Sequence, residues 1–189
     1  HENLLFNIRS FFTFDRRMEE AELILRLSWE RLLNYYASGK VILRTEKDME
    51  NAMRQICMNI VAERGVILDI ACQEKHRGKV VDLRIGDMPR CIWAQLKLYH
   101  DKADWKQSPS MMNTVESDLK FAKGHRDTFV AIIDTIPSTR RVRLPFKLDW
   151  QTIEIDRNVF EEVYSTINPR TSPPREMRQK AIFVNGNNI

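Results

Sequence analysis

Three residues of this chain carry side chains whose types and spacing suit joint chemistry: Asp82, Gln95 and Lys97. They sit in two short stretches, residues 78–85 and 92–99, that both read as β-strands. Side chains of a strand alternate between its faces. The spacing therefore puts Asp82 opposite to Val81, Leu83 and Ile85, and it separates Trp93, Gln95 and Lys97 from Ile92, Ala94, Leu96 and Leu98. A carboxylate, an amide oxygen and an ammonium then converge from neighbouring strands beside an apolar core. Such groups are costly to hold there unless they meet a metal ion, a phosphate or one another.

Several elements must hold these strands in place. Thr45 reads as the N-cap of a helix running to about Arg64 and stopped by Gly65, with Asp48 as the acid of a capping box. Met49, Met53, Ile56 and Ile60 line one face of it. Glu46 and Glu50 project within about 70° of the centre of that stripe. Acids there either face a site, or simply favour the helix N-terminus (Glu46) and pair with Arg54 (Glu50). Residues 66–71 read as a first strand and 72–79 as a polar connection. The loop 100–109, with Asp101, Lys102, Asp104 and Trp105, is expected beside the strand end. A helix over 110–123, with Met111, Val115, Leu119 and Ala122 on its buried face, leads to an apolar strand at 128–134. Strand, helix, strand implies a right-handed parallel crossover. The fold class is α/β, a mixed central sheet flanked by helices.

Outside this core, residues 1–44 read as an N-terminal helical arm. It is rich in Phe over 4–14 and carries Leu23, Ile24, Leu27, Trp29 and Leu32 at helical spacing before Gly39. Its expected role is a lid over the core, or a surface for dimerisation or a protein partner. The core spans 45–167 and ends in a short strand at 153–155 and a helix over 157–167. Residues 168–189 read as a linker and tail. Arg140, Arg141, Arg143 and Lys147 form a basic cluster, which suits a phosphate backbone and equally protects an edge strand.

The totals exclude little. A chain of 189 residues with a formal charge of +4 admits a nucleic-acid partner without demanding one. No apolar run suggests a membrane span. Three widely spaced cysteines argue against a disulfide framework and a zinc ribbon, so reduced thiols and a cytoplasmic location are expected.

Asp82, followed after a turn by Gln95-Leu96-Lys97, resembles the active-site signature of the PD-(D/E)XK nuclease superfamily, the restriction-endonuclease-like fold. The usual pattern places an acid on the second core strand, an acid-x-Lys on the third, and often a further Glu on the preceding helix. The resemblance covers residues 45–135. Val81 stands before Asp82 where Pro is common, and Gln95 stands where an acid is usual, a variant similar to the Mrr-like branch.

This resemblance implies a Mg²⁺-dependent (or Mn²⁺-dependent) endodeoxyribonuclease acting on DNA, of restriction, defence, phage or recombination type. Asp82, Gln95, the backbone carbonyl of Leu96 and Glu50 would ligate the ion, with Glu46 in reserve; Lys97 would polarise the attacking water. Cutting both strands of a duplex implies a homodimer. Because Gln95 carries no charge, the alternative is a catalytically degenerate module that keeps the fold to bind nucleic acid or a protein. The plainest reading is an Asp82–Lys97 cross-strand ion pair worth ~0.5 kcal/mol.

Overall fold

The computed structural model describes residues 2–99, 109–135, 147–167 and 178–189. The chain opens with helix α1 (Glu2–Ala37), followed by α2 (Glu46–Arg64). The start of α2 is fixed by its own sequence. Thr45 Oγ1 accepts from the Asp48 N–H at 3.1 Å, and the Asp48 carboxylate accepts from the Thr45 N–H at 3.0 Å. Gly65 ends the helix at φ 64.

Strands β1 (Ile70–His76) and β2 (Lys79–Ile85) then form a hairpin, and β3 (Ile92–Tyr99) runs antiparallel to β2. The hairpin turn is Arg77-Gly78, both at positive φ (47 and 77), the twisted two-residue geometry that matches flanking strands. This corrects the expected first strand at 66–71. The alternating apolar residues Val66, Leu68 and Ile70 do pack against the core, but the ladder begins only at Ile70 and runs through the supposed connection.

Helix α3 (Pro109–Ala122) crosses to β4 (Thr128–Asp134), which pairs parallel with β3. After β5 (Gln151–Glu154) and α4 (Arg157–Ile167) comes β6 (Arg178–Asn185), inserted between β4 and β5. Among the described residues the sheet has six strands in the order β1-β2-β3-β4-β6-β5, with β3–β4 the parallel pair. The class is α/β with a mixed sheet flanked by helices.

Two flanks differ from the sequence reading. Residues 178–189 are not a tail: Ala181, Ile182 and Val184 are buried, and the closing 3₁₀ turn (Gly186–Asn188) docks on the end of α3. A Cβ at Gly186 would run into the carbonyls of Ala122 and His125, so only glycine allows that approach. The N-terminal arm is one helix whose inner stripe, Ala21, Ile24, Leu25, Trp29, Leu32, Leu33 and Tyr36, belongs to the main core. Leu23, counted into the expected stripe, is 38% exposed and stays out of that core. The linker at 169–174 and most of the 100–109 loop lie outside the described residues.

The main core lies between the sheet and α1 with α2; Val115, Leu119 and Ala122 of α3 cover the opposite face through Val130, Ile132, Ile182 and Val184. Among the described residues, no helix is long and apolar enough to cross a membrane.

Candidate active site

The regular ladder between β2 and β3 covers only Leu83↔Ala94, Arg84↔Trp93 and Ile85↔Ile92. Both strands continue past Leu83 and Ala94, and it is there that Asp82, Gln95 and Lys97 lie. The β1–β2 register is interrupted at the same level. It runs from Ile70↔Ile85 to His76↔Lys79 and skips the position of Gln73 and Asp82.

At that position Gln73 has φ 57, left-handed backbone that costs a non-glycine residue about 1 kcal/mol. Val81 packs with Cys91 and Trp93, whereas Leu83 lies in the main core. The two-residue alternation expected around Asp82 is therefore broken. Val81 does not share the cluster of Leu83, and the position between them, Asp82 opposite Gln73, is the one the β1–β2 pairing skips.

The side chains bridge the opening. Asp82 Oδ2 accepts the Leu96 N–H at 2.8 Å, and the Gln95 amide donates to the Val80 carbonyl at 3.2 Å. In an antiparallel ladder a residue's N–H and C=O leave the strand on one side, so the Leu96 carbonyl also leaves towards β2. Gln73 Nε2 donates to Asp82 Oδ1 and to Glu50 Oε2, both at 3.0 Å. Glu50 and Asp82, from α2 and β2, thus converge on one nitrogen. Glu50 is 5% exposed and pairs with Lys47 at 2.9 Å rather than with Arg54.

Lys97 faces two other acids: Glu46 Oε1 at 2.9 Å and Asp118 Oδ2 at 3.5 Å, with no ion pair to Asp82. The plain Asp82–Lys97 salt bridge is therefore not formed, although the two charges still feel each other. Burial opposes a charge on Lys97, but Asp118 and Glu46 outweigh it and its pKa is raised. For Asp82 burial wins. It pushes the carboxyl up to about 6, against the Leu96 N–H and Lys97, which favour the anion.

Asp118 was missed by the sequence reading. It is buried on α3 at 1% exposure, with Lys79 Nζ on Oδ1, while Oδ2 accepts no hydrogen bond. The signal was available: Asp118 is three residues after Val115 and four before Ala122, inside the stripe assigned to the core. Gln73 had no such signal, because its backbone conformation is imposed by tertiary contacts. Of the basic cluster, Lys147 is exposed before β5, and Arg140, Arg141 and Arg143 lie outside the described residues.

The arrangement brings the oxygen donors of Glu50 and Asp82 together around Gln73, with Lys47 on Glu50, and gathers Lys97 and Lys79 on Asp118. Among the described residues, no three His, Cys, Asp or Glu side chains form a ready cation cage. A hard cation between Glu50 and Asp82 would need the Leu96 carbonyl or the Gln95 amide oxygen as well. The donor chemistry fits, and the buried Asp82 carboxylate gains most from a positive charge beside it. Compared with known proteins, the chain matches no family model, no curated protein and no solved structure.

Proposed function

We propose that this chain is a divalent-cation-dependent nuclease that hydrolyses phosphodiester bonds in DNA, built on a restriction-endonuclease-like core. The observation that carries the reading is the convergence of Glu50 and Asp82 on a single nitrogen, at the place where the β2–β3 ladder opens. The element order supports it: a helix with inward acids, three antiparallel strands, a crossover helix and a parallel strand. Asp82, Glu50, the Leu96 carbonyl and the Gln95 amide oxygen are the groups that would hold Mg²⁺ or Mn²⁺. The ion would neutralise charge developing on the phosphate and orient a water.

The chain's own residues supply the remainder. Asp82 ties β2 to the Leu96 backbone and so fixes the distance between the two strands. Lys97, kept charged by Asp118 and Glu46, donates to a phosphate oxygen and offsets its charge. The exposed Lys147 contributes to the DNA-facing charge, and Arg140, Arg141 and Arg143 extend it in sequence.

A second reading is favoured by one observation. The Gln95 amide is tied to the Val80 carbonyl and the Gln73 amide sits between the carboxylates, so the polar groups also satisfy one another without an ion. On that reading the chain is a degenerate module that binds nucleic acid or a protein. The deciding experiment is incubation with duplex DNA and Mg²⁺ or Mn²⁺, alongside Asp82→Ala and Lys97→Ala. Cleavage lost in both folded variants supports the nuclease; full cleavage by either sinks it. Calorimetry with no Mn²⁺ heat at millimolar concentration favours the binding module.

A further inference from the structure

We infer that Asp118 is a positioning residue that holds the Lys97 and Lys79 ammoniums together as the seat for a phosphodiester oxyanion; this rests on the nuclease reading above. Asp118 is a fully buried acid on α3, away from the carboxylates assigned to the cation, and nothing in that assignment uses it. A buried carboxylate is tolerated only where cations meet it. Lys79, from the start of β2, meets one oxygen; Lys97, from the far part of β3, approaches the other at 3.5 Å. The two lysines flank the opening in the ladder, and Asp118 is the group they share.

Donor counting shows what the pair can do. An ammonium has three N–H donors. Among the described residues, Lys97 meets Glu46 and Asp118, and Lys79 meets Asp118 and Ser117, the latter at 3.3 Å, with the Phe121 ring centroid 5.5 Å from its Nζ. Each keeps a donor for an oxyanion. The partners also differ in permanence. Glu46 is 38% exposed, so its hold on Lys97 is screened by solvent and open to exchange, whereas Asp118 is sealed under α3. A phosphate can therefore replace Glu46 on Lys97 while Asp118 keeps the ammonium in place. The unused capacity of Asp118 Oδ2 fits this: its 3.5 Å distance to Lys97 is long for a charged hydrogen bond and leaves room to tighten once Glu46 is displaced.

The test is lysine acylation mapped by mass spectrometry on wild type, Asp118→Asn and Lys79→Gln. Each is measured with and without a short DNA duplex in Ca²⁺, beside single-turnover cleavage in Mg²⁺ and Mn²⁺ calorimetry. Asp118→Asn keeps the shape and removes the charge. It is expected to raise acylation of Lys79 and Lys97 together, leave the Mn²⁺ affinity unchanged and slow cleavage by about tenfold to a hundredfold. Asp118→Glu recovers part of that rate. Lys79→Gln is expected to lower the slope of log DNA affinity against log salt by about one.

In wild type, DNA is expected to protect both lysines. Wild-type acylation in Asp118→Asn, a response of one lysine alone, or no protection by DNA each overturns the inference. Protection of both lysines by DNA in a wild type that never cleaves leaves the seat standing and defeats only the nuclease reading.

Discussion

Two charged clusters lie two residues apart on β2, and they differ in how completely their charges are met. Arg84 is buried, with its Nε and Nη2 on the two oxygens of Glu74 at 2.6 and 3.1 Å. A further bond reaches Asp69 at 2.8 Å, and Nη1 reaches the Gly86 carbonyl. Hydrogen bonding to Glu74 raises the Arg84 pKa, and hydrogen bonding to Arg84 lowers that of Glu74. At Asp82 the opposite holds. Burial is the largest influence, the carboxyl is pushed up to about 6, and its direct partners are a backbone N–H and a neutral amide. Burial alone does not separate a structural charge from a functional one. A buried acid that the protein leaves without a cation is the one suited to receive it from outside.

The largest expected effect breaks the two clusters apart. On the nuclease reading proposed above, Asp82→Ala should lower single-turnover cleavage by about 10³-fold or more and abolish Mn²⁺ heat, with the fold retained by circular dichroism. Arg84→Met should instead leave cleavage per folded molecule near wild type and lower stability by about 2 kcal/mol, read by urea unfolding. An Arg84 variant that is stable yet inactive would erase the distinction.

The same contrast explains what could be read in the sequence. Asp82 and Lys97 were legible because strand alternation singles out polar residues between apolar ones, and Glu50 because an acid beside a buried helical stripe is unusual. The capping box at Thr45 and Asp48 and the strand at 128–134 were legible because local chemistry determines them. Other features depend on pairing. Positive φ at Arg77 gave no warning of the hairpin, so β1 was placed too early. The apolar run Ala181-Ile182-Phe183-Val184 did carry the mark of a buried strand, but its place between β4 and β5 requires contacts from two distant segments. Asp118 was overlooked because its position looked like core.

A middle-sized effect concerns pH. The folded pKa of Asp82 lies above its unfolded value of about 3.9, so the native protein retains a proton that the unfolded chain has lost. For this group, stability is highest at low pH and falls by up to about 3 kcal/mol as pH rises from about 4 to about 6. Asp82→Asn removes that loss while forfeiting a charged acceptor for Leu96. It should be more stable than wild type at pH 8 by about 1–2 kcal/mol of unfolding free energy, and gain nothing at pH 4. Glu74 has the opposite sign. Its pKa is lowered by Arg84, so its contribution is present above the unfolded value and is lost as pH falls through the folded one. Melting curves of Asp82→Asn and of Glu74→Gln across pH, each set against wild type, should therefore diverge in opposite directions, and parallel curves would contradict the comparison.

The smallest effect probes the residue opposite Asp82. Gln73 holds left-handed backbone at φ 57, where glycine would relieve about 1 kcal/mol. Its amide nitrogen gives Asp82 and Glu50 their shared donor. Gln73→Gly exchanges one gain for one loss, so unfolding free energy should stay within about 1 kcal/mol of wild type. Cation affinity separates two roles that stability does not. If the amide N–H₂ merely stands where the ion goes, its removal frees the two facing oxygens, Asp82 Oδ1 and Glu50 Oε2, while Leu96 and Lys47 stay on the other two. Mn²⁺ should then bind about threefold to tenfold tighter by calorimetry, a gain of roughly 1 kcal/mol. If the amide turns over on binding and presents its oxygen, the glycine variant loses a ligand and Mn²⁺ binds more weakly. The neutral donor at 3.0 Å from both acids favours the first outcome, because the amide nitrogen, and not the amide oxygen, sits at the point on which the two carboxylates converge.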